Sequence, residues 1–124
     1  DKRLVCLIVD EKDDVVAFGV SMPSLSKALR KCKGKLFPFG WIHILRALKN
    51  FENIDLYLNG VKPEWQNKGV HSIYYSEMNN QYIKLGVKMA IANSLLETNQ
   101  AANIWEKYDS RIAIRRRAYI KTIE

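Results

Sequence analysis

Residues 54–71 read IDLYLNGVKPEWQNKGVH, and the fold is decided in this stretch. The apolar alternation of residues 54–58 predicts a β-strand. Asn59-Gly60 is a common hairpin turn, but Pro63 argues against a paired returning strand, so we expect a bulge or splay of the strand at Asn59-Gly60 instead. A loop over residues 62–68 leads through Gly69 into a long helix, whose apolar residues recur at helical spacing until Gly86.

Upstream of this stretch, the sequence predicts a β-hairpin and then a pair of helices. Residues 4–9 form an unbroken apolar run of strand length, of the kind expected when both faces of a strand are covered. A charged turn over residues 10–14 joins them to a second strand over residues 15–22. The apolar spacing within residues 24–50 indicates two helices before the central strand.

Downstream of the long helix, the sequence predicts a strand, a helix and a final strand. Residues 87–93 are typical of a strand, and Thr98-Asn99 of a helix N-cap. Residues 111–121 mostly alternate Ile and Ala with polar side chains, which predicts a half-buried strand. The order β-β-α-α-β-α-β-α-β is typical of an α+β domain with a mixed β-sheet and flanking helices. We therefore predict a single domain over residues 1–124.

Composition excludes several classes of protein. Of the 124 residues, 48% are hydrophobic and 27% are charged, so the chain can bury a core and is not disordered. The longest apolar run, residues 4–9, is far shorter than the ~20 residues of a transmembrane helix, so we expect no membrane partner. The net charge of +7 favours anionic partners without identifying one. Cys6 and Cys32 form neither a disulfide framework nor a CxxC motif, which indicates a reduced, cytoplasmic protein.

The junction between the central strand and the long helix has the outline of a phosphate-binding site. Backbone N–H groups at a helix N-terminus are unsatisfied and carry the positive end of the helix dipole. Gly69 would let an anion approach the backbone closely, and Lys68 adds a full charge. An ordinary glycine-containing connection explains these residues equally well. Neither GxxxxGK[ST] nor GxGxxG occurs in the chain, which argues against ATP hydrolysis and hydride transfer.

The same residues carry a resemblance to the GCN5-related N-acetyltransferase (GNAT) superfamily. The family signature is V-x-P-x-x-Q/R-x-x-G-x-G/A, and its last position here is His71. Its other fixed positions are matched in register by Val61, Pro63, Gln66 and Gly69. Similar features flank it in the family's order, namely the hairpin run at residues 15–19, the helix start at residues 99–102 and the strand end at residues 119–121.

The resemblance implies an acyl-CoA N-acyltransferase (GNAT)-like fold that lacks the family's first strand and first two helices. The resemblance does not cover residues 24–50, which would be a helical insertion that could form one side of the acceptor pocket. The implied cofactor is acetyl-CoA or another acyl-CoA. Its pantetheine arm would lie between the strands of residues 54–61 and 87–93, with one N–H as oxyanion donor. The implied cofactor-binding residues are Leu58, Asn59, Gly60, Val61, Gln66, Asn67, Lys68, Gly69, Val70, His71 and Asn99.

The resemblance also implies candidates for the catalytic groups. The Tyr that commonly protonates the leaving thiolate in this family aligns with Trp105, whose indole cannot act as an acid. Tyr108, about one helical turn later, is therefore the candidate acid. Residue type, and not the resemblance, adds two candidates for proton transfer: Asp55 is a carboxylate near the predicted cleft, and His71 carries an imidazole. Asp55 equally suits a surface strand position, and His71 an anion contact or an ordinary first-turn residue. We expect no metal site.

These observations lead to the hypothesis of an N-acyltransferase, acetyl transfer being the first choice, acting on an amine of a small molecule or peptide. The alternative is a non-catalytic domain of the same fold that binds CoA or a partner protein. No nucleic-acid partner is expected, because Arg116 would point away from Arg115 and Arg117 in an alternating strand. The basic tract of residues 27–35 could contact cofactor phosphates, an acidic acceptor or only solvent. The sequence does not decide whether the chain forms a homodimer.

Overall fold

The computed structural model describes residues 1–96 and 100–122 and divides into two compact units, Asp1–Asn93 and Ser94–Glu124. The first unit has the α+β composition and the mixed sheet that the sequence predicts. Short 3₁₀ helices precede its first strand and follow its third. Its main elements are β1 (Val5–Val9), β2 (Val15–Pro23), α1 (Ser26–Lys31), α2 (Gly40–Lys49), β3 (Asn53–Val61), α3 (Val70–Lys84) and β4 (Met89–Ala92).

The four strands of the first unit pair in the order β1-β2-β3-β4. The predicted hairpin is confirmed as the antiparallel β1–β2 pair. Its turn is held by the Asp10 carboxylate, which accepts hydrogen bonds from the N–H groups of Lys12 (2.9 Å) and Asp14 (3.0 Å). β3 runs antiparallel to β2 and parallel to β4, and α3 is the crossover between the two parallel strands. The N-terminus of α3 therefore follows directly from the end of β3.

β3 continues in register through Asn59-Gly60, so the predicted bulge at this dipeptide is wrong. Asn59 faces Gly19 on β2, and Gly60 faces Phe18. A Cβ atom at position 60 would lie 2.9 Å from Cε1 of Phe18, so the missing side chain gives the aromatic ring its place. Gly60 thus lies in a regular part of the β-ladder, where it allows the Phe18 ring to pack closely, and it forms neither a turn nor a bulge.

The irregularity of β3 lies earlier, at Tyr57. Leu58 faces Val20 and Leu56 faces Ser21, so Tyr57 is an extra residue with no counterpart on β2. An extra residue of this kind is a β-bulge, and it shifts the alternation of side chains by one position.

α3 covers one face of the sheet. Its residues Tyr74, Tyr75, Met78 and Tyr82 are buried and form the core between helix and sheet. The β2 residue beneath them is Gly19, and a Cβ atom there would overlap the Tyr74 ring. A small residue on the strand therefore makes room for a large one on the helix.

The opposite face of β1 is open, so the expectation that both faces of residues 4–9 are covered is wrong. Val5, Leu7 and Val9 are 44%, 62% and 46% exposed, whereas the residues between them are half-buried. The physical reason is that β1 lies at the edge of the sheet, and α3 packs against the other face.

The second unit contains a 3₁₀ helix, Gln100–Lys107, where the sequence predicts a helix. The predicted N-cap, Thr98-Asn99, lies outside the described residues. The predicted strand over residues 111–121 is wrong, because residues 111–122 form neither helix nor strand. Ile112, Ile114 and Ile120 are 71%, 69% and 99% exposed. Alternation alone does not make a strand, since its backbone groups need a neighbouring edge to pair with.

Within residues 1–96 and 100–122, none of the helices has both the length and the apolar character needed to cross a bilayer.

Candidate functional site

The loop before α3 presents a row of free backbone donors. Asn67 (φ 59°) and Gly69 (φ 80°) adopt left-handed conformations on either side of Lys68. Left-handed residues in a turn can direct successive N–H groups toward one side of the chain, as in the backbone concavities that bind anions. The N–H groups of residues 67–71 have no hydrogen-bond acceptor in the described chain, and the first turn of α3 begins with the Ser72 N–H bonded to the Gly69 carbonyl at 2.9 Å.

Two side chains fix the shape of this loop. Gln66 Nε2 donates to the Val61 carbonyl oxygen at 3.2 Å and so ties the loop to the end of β3. The Lys68 ammonium lies 5.2 Å from the centroid of the Trp65 ring, within cation–π distance. Gln66 therefore holds the loop backbone at the end of β3, and the Lys68 ammonium lies over the Trp65 ring of the same loop.

The pairing of β3 with β4 covers only the first part of β3. It ends at Leu56, which faces Ala92. Asn93 Nδ2 then donates to the Tyr57 carbonyl oxygen at 3.0 Å and fills the next position with a side chain. Beyond Tyr57, β3 has no strand partner on this side among the described residues, so its edge is unpaired over the last residues before the loop.

The predicted arm-binding residues point in different directions. Asn59 Nδ2 donates to the Tyr75 hydroxyl at 3.2 Å, so this side chain joins β3 to α3 and is not free. Leu58 is 57% exposed, while Gly60 and Val61 are half-buried. What residues 58–61 have in common is therefore a backbone edge with no strand beside it, on which the Val61 carbonyl already accepts a hydrogen bond from Gln66, and not a shared side-chain surface.

Asp55 and His71 are not brought together. Asp55 is half-buried and pairs with Met22 on one side and Ile91 on the other, which places it on the sheet face opposite α3. His71 is half-buried in the first turn of α3. The two candidate proton-transfer groups therefore lie on opposite sides of the sheet, and a single site uses at most one of them.

The remaining candidates lie in the second unit or outside the described residues. Tyr108 is 42% exposed, its N–H donates to the Trp105 carbonyl oxygen at 3.1 Å, and the two ring centroids are 6.2 Å apart. Asn99 lies outside the described residues. The role of Tyr108 as an acid and that of Asn99 in cofactor binding stay predictions.

A chain of buried hydroxyl groups lies between β2 and α3. The Tyr82 hydroxyl forms hydrogen bonds with those of Ser21 and Tyr74. Burial raises the pKa of Tyr74, with Tyr82 and Tyr75 adding to the effect, and burial also raises the pKa of Tyr82. These phenols stay neutral over a wide pH range and donate protons poorly, so we assign them to packing and not to chemistry.

The helical spacing of these tyrosines predicts that they are buried, but it does not predict hydrogen bonds between their hydroxyl groups. A signal for these bonds exists in the sequence, because small residues at alternate positions of β2, Gly19 and Ser21, leave space for phenol rings. Cys6 is half-buried and lies near these hydroxyl groups. Burial, and secondly the charge of Glu77, raise the pKa of its thiol, so the thiol stays protonated and unreactive at neutral pH.

No group of three or more His, Cys, Asp or Glu side chains in residues 1–96 and 100–122 is placed to hold a metal ion. No known protein-family model matches the chain, and no curated protein matches it significantly.

Proposed function

We propose that this chain binds an acyl-CoA and transfers its acyl group to an amine. The proposal rests on the resemblance of residues 61–71, and one structural observation supports it. The unsatisfied N–H groups of residues 67–71 are joined by a short loop, residues 62–66, to residues 58–61, whose backbone edge has no strand beside it. The first feature suits a diphosphate and the second suits an extended chain that hydrogen-bonds to a strand edge.

The chain's own contribution to transfer would be alignment and charge stabilisation. The amine nitrogen attacks the thioester carbonyl carbon, the carbon–sulfur bond breaks, the amine loses a proton and the thiolate gains one. A free N–H along residues 58–61 would stabilise the oxygen that becomes negative during the attack. Holding both reactants together supplies much of the rate enhancement. Tyr108 as acid, and Asp55 or His71 as base, remain part of the proposal.

Replacement of Gly69 by Leu is expected to weaken acetyl-CoA binding at least about tenfold, because charge-assisted hydrogen bonds to backbone donors are lost when a side chain covers them. Isothermal titration calorimetry measures the effect. Gly86→Leu is the matched control. Gly86 lies at the other end of α3, also has a left-handed φ (71°), and likewise has no atom within 4 Å of a Cβ position. The Gly86→Leu variant therefore has a comparable backbone strain, but at a position far along the chain from the proposed site.

Two results would contradict the proposed binding site. One is the absence of any heat with the unchanged chain at millimolar acetyl-CoA. The other is equal weakening by Gly69→Leu and Gly86→Leu, which would show that strain in the helix, and not the loop N–H groups, governs binding.

A second candidate function is CoA binding without catalysis. The separation of Asp55 and His71 by the sheet favours it, because no acid–base pair is assembled from the candidates in the first unit. Binding of acetyl-CoA without thiol release across a panel of small and peptide amines would select this candidate. Thiol release that depends on the added amine would select the transferase.

A further inference from the structure

The positive charge of the chain is concentrated in α1, α2 and the turn between them, which we call the α1–α2 pair (residues 26–49). It contains no Asp or Glu, and all of its basic residues are exposed. The other 13 Lys and Arg residues of the chain balance its 13 Asp and Glu residues, so the whole net charge of +7 resides here. The basic residues are Lys27, Arg30, Lys31, Lys33, Lys35, Arg46 and Lys49.

The α1–α2 pair also exposes large apolar side chains. Phe37 and Phe39, on either side of Pro38, are 87% and 70% exposed. Along α2, Trp41, Leu45 and Leu48 recur at the spacing of one helix face and are 51%, 54% and 41% exposed. The sequence predicts this stripe, but the structure leaves it in solvent. No ion pair joins the basic residues of the pair to a carboxylate in the described chain.

The aromatic side chains are presented on an ordered turn. The Trp41 N–H donates to the Leu36 carbonyl oxygen at 3.1 Å, and Trp41 Nε1 donates to the Pro38 carbonyl oxygen at 3.0 Å. Gly40 is buried between this turn and the end of α1, where a Cβ atom would overlap the Lys35 carbonyl. Fixed presentation lowers the entropy that binding must overcome.

From this surface we infer that the α1–α2 pair binds the surface of a bilayer that contains anionic lipids. The lysines and arginines would lie among the headgroups, and Phe37, Phe39 and Trp41 would enter the boundary with the acyl chains. Surface binding departs from the expectation of no membrane partner, which was drawn only from the length of the apolar runs. Binding at the surface of a bilayer needs no spanning helix, and the described chain has none. The inference does not depend on the proposed transferase function.

Other anionic partners explain less of the surface. Nucleic acid accounts for the charge and for stacking on aromatic rings, but it offers no apolar surface to Leu45 and Leu48. An acidic protein would have to supply pockets for the protruding Phe37 and Phe39. A fluid bilayer receives such side chains without a preformed pocket, and tryptophan favours its interface.

The test is co-sedimentation of the full chain with phosphatidylcholine vesicles that contain or lack phosphatidylserine, at low and high salt. We expect binding only with phosphatidylserine, and weaker binding at high salt. The double variant Lys31→Glu/Lys33→Glu should bind at least about 25-fold more weakly, since each basic residue contributes roughly fivefold. Phe37→Ser should weaken binding about tenfold or more, through lost apolar transfer.

Matched controls separate a local surface from overall charge and hydrophobicity. Lys107→Glu/Lys121→Glu makes the same change in net charge at exposed residues of the second unit, and Ile83→Ser removes a 75% exposed apolar residue from α3. Retained binding of these variants supports the inference. It is overturned if the unchanged chain ignores phosphatidylserine vesicles, if the controls lose binding as strongly as the test variants, or if the pair's residues are needed only for binding single-stranded RNA.

Discussion

Gly19→Ala is expected to lower the free energy of unfolding by about 3 kcal/mol, because the added methyl group would overlap the Tyr74 ring. The ring cannot simply move aside, since it packs edge-on against Tyr75 (4.8 Å between centroids) and its hydroxyl bonds to Tyr82. Relief would require α3 to separate from β2. A loss of this size is a large share of the stability of an ordinary small domain.

Chemical denaturation of the full chain, followed by circular dichroism, measures this loss. Gly34→Ala is the control: Gly34 has a left-handed φ of 74° and no atom within 4 Å of a Cβ position, so it tests strain without overlap. We expect it to cost about 1 kcal/mol. Adding Tyr74→Leu to Gly19→Ala should recover part of the loss, since the obstructing ring is gone. Equal losses for Gly19→Ala and Gly34→Ala would contradict the packing described here.

Above pH 10 we expect a steep loss of stability, caused by the buried tyrosines. Burial raises the pKa of both Tyr74 and Tyr82 above the ordinary value of 10.0. The unfolded chain then releases protons above pH 10 that the folded chain retains, so the stabilisation is complete below pH 10 and falls as pH rises beyond it. Two such groups correspond to about 2.7 kcal/mol per pH unit.

Denaturation curves at a series of alkaline pH values, recorded together with tyrosinate absorbance, test this expectation. The absorbance change of Tyr74 and Tyr82 should coincide with unfolding. Tyr74→Phe should reduce the slope of stability against pH by about half, to ~1.4 kcal/mol per unit. If all tyrosines titrate near pH 10 while the circular dichroism stays native, the buried hydroxyl chain is not as described.

The parts of the fold that follow from local periodicity were predictable. The β1–β2 hairpin, the helix after Gly69 and the burial of Tyr74 and Tyr82 all follow from spacing and turn residues. The bulge was assigned to Asn59-Gly60 because that dipeptide is a common turn, yet its position depends on which residues of β2 lie opposite. Register of this kind is a tertiary property that no local pattern encodes.

Two further predictions were wrong because a neighbouring element was assumed to cover or pair with the segment. The apolar run of residues 4–9 and the alternation of residues 111–121 both state what a segment could bury, not what is present to cover it. β1 lies at a sheet edge with Val5 and Leu7 in solvent, and residues 111–122 have no strand to pair with in the described chain.

Of the candidate site, the loop before α3 was the more predictable half. Gly69 and the start of α3 stand where the motif expects them, and the left-handed Asn67 adds a feature that the sequence does not reveal. The proton-transfer candidates were chosen by residue type alone. Whether Asp55 and His71 share a face depends on the sheet and its bulge, so their separation could not be foreseen.

The surplus residue at Tyr57 has a consequence for how this chain tolerates change. Ile54, wholly buried, and Asn59, bonded to α3, share the inner face although they are separated by an odd number of positions. Loss of one residue between them would make the separation even, so simple alternation would keep Ile54 and Asn59 on the inner face and the bulge would disappear. A deletion of one residue here is therefore compatible with the core, whereas a deletion of two would leave an odd separation that keeps Ile54 and Asn59 on one face only if a bulge remains.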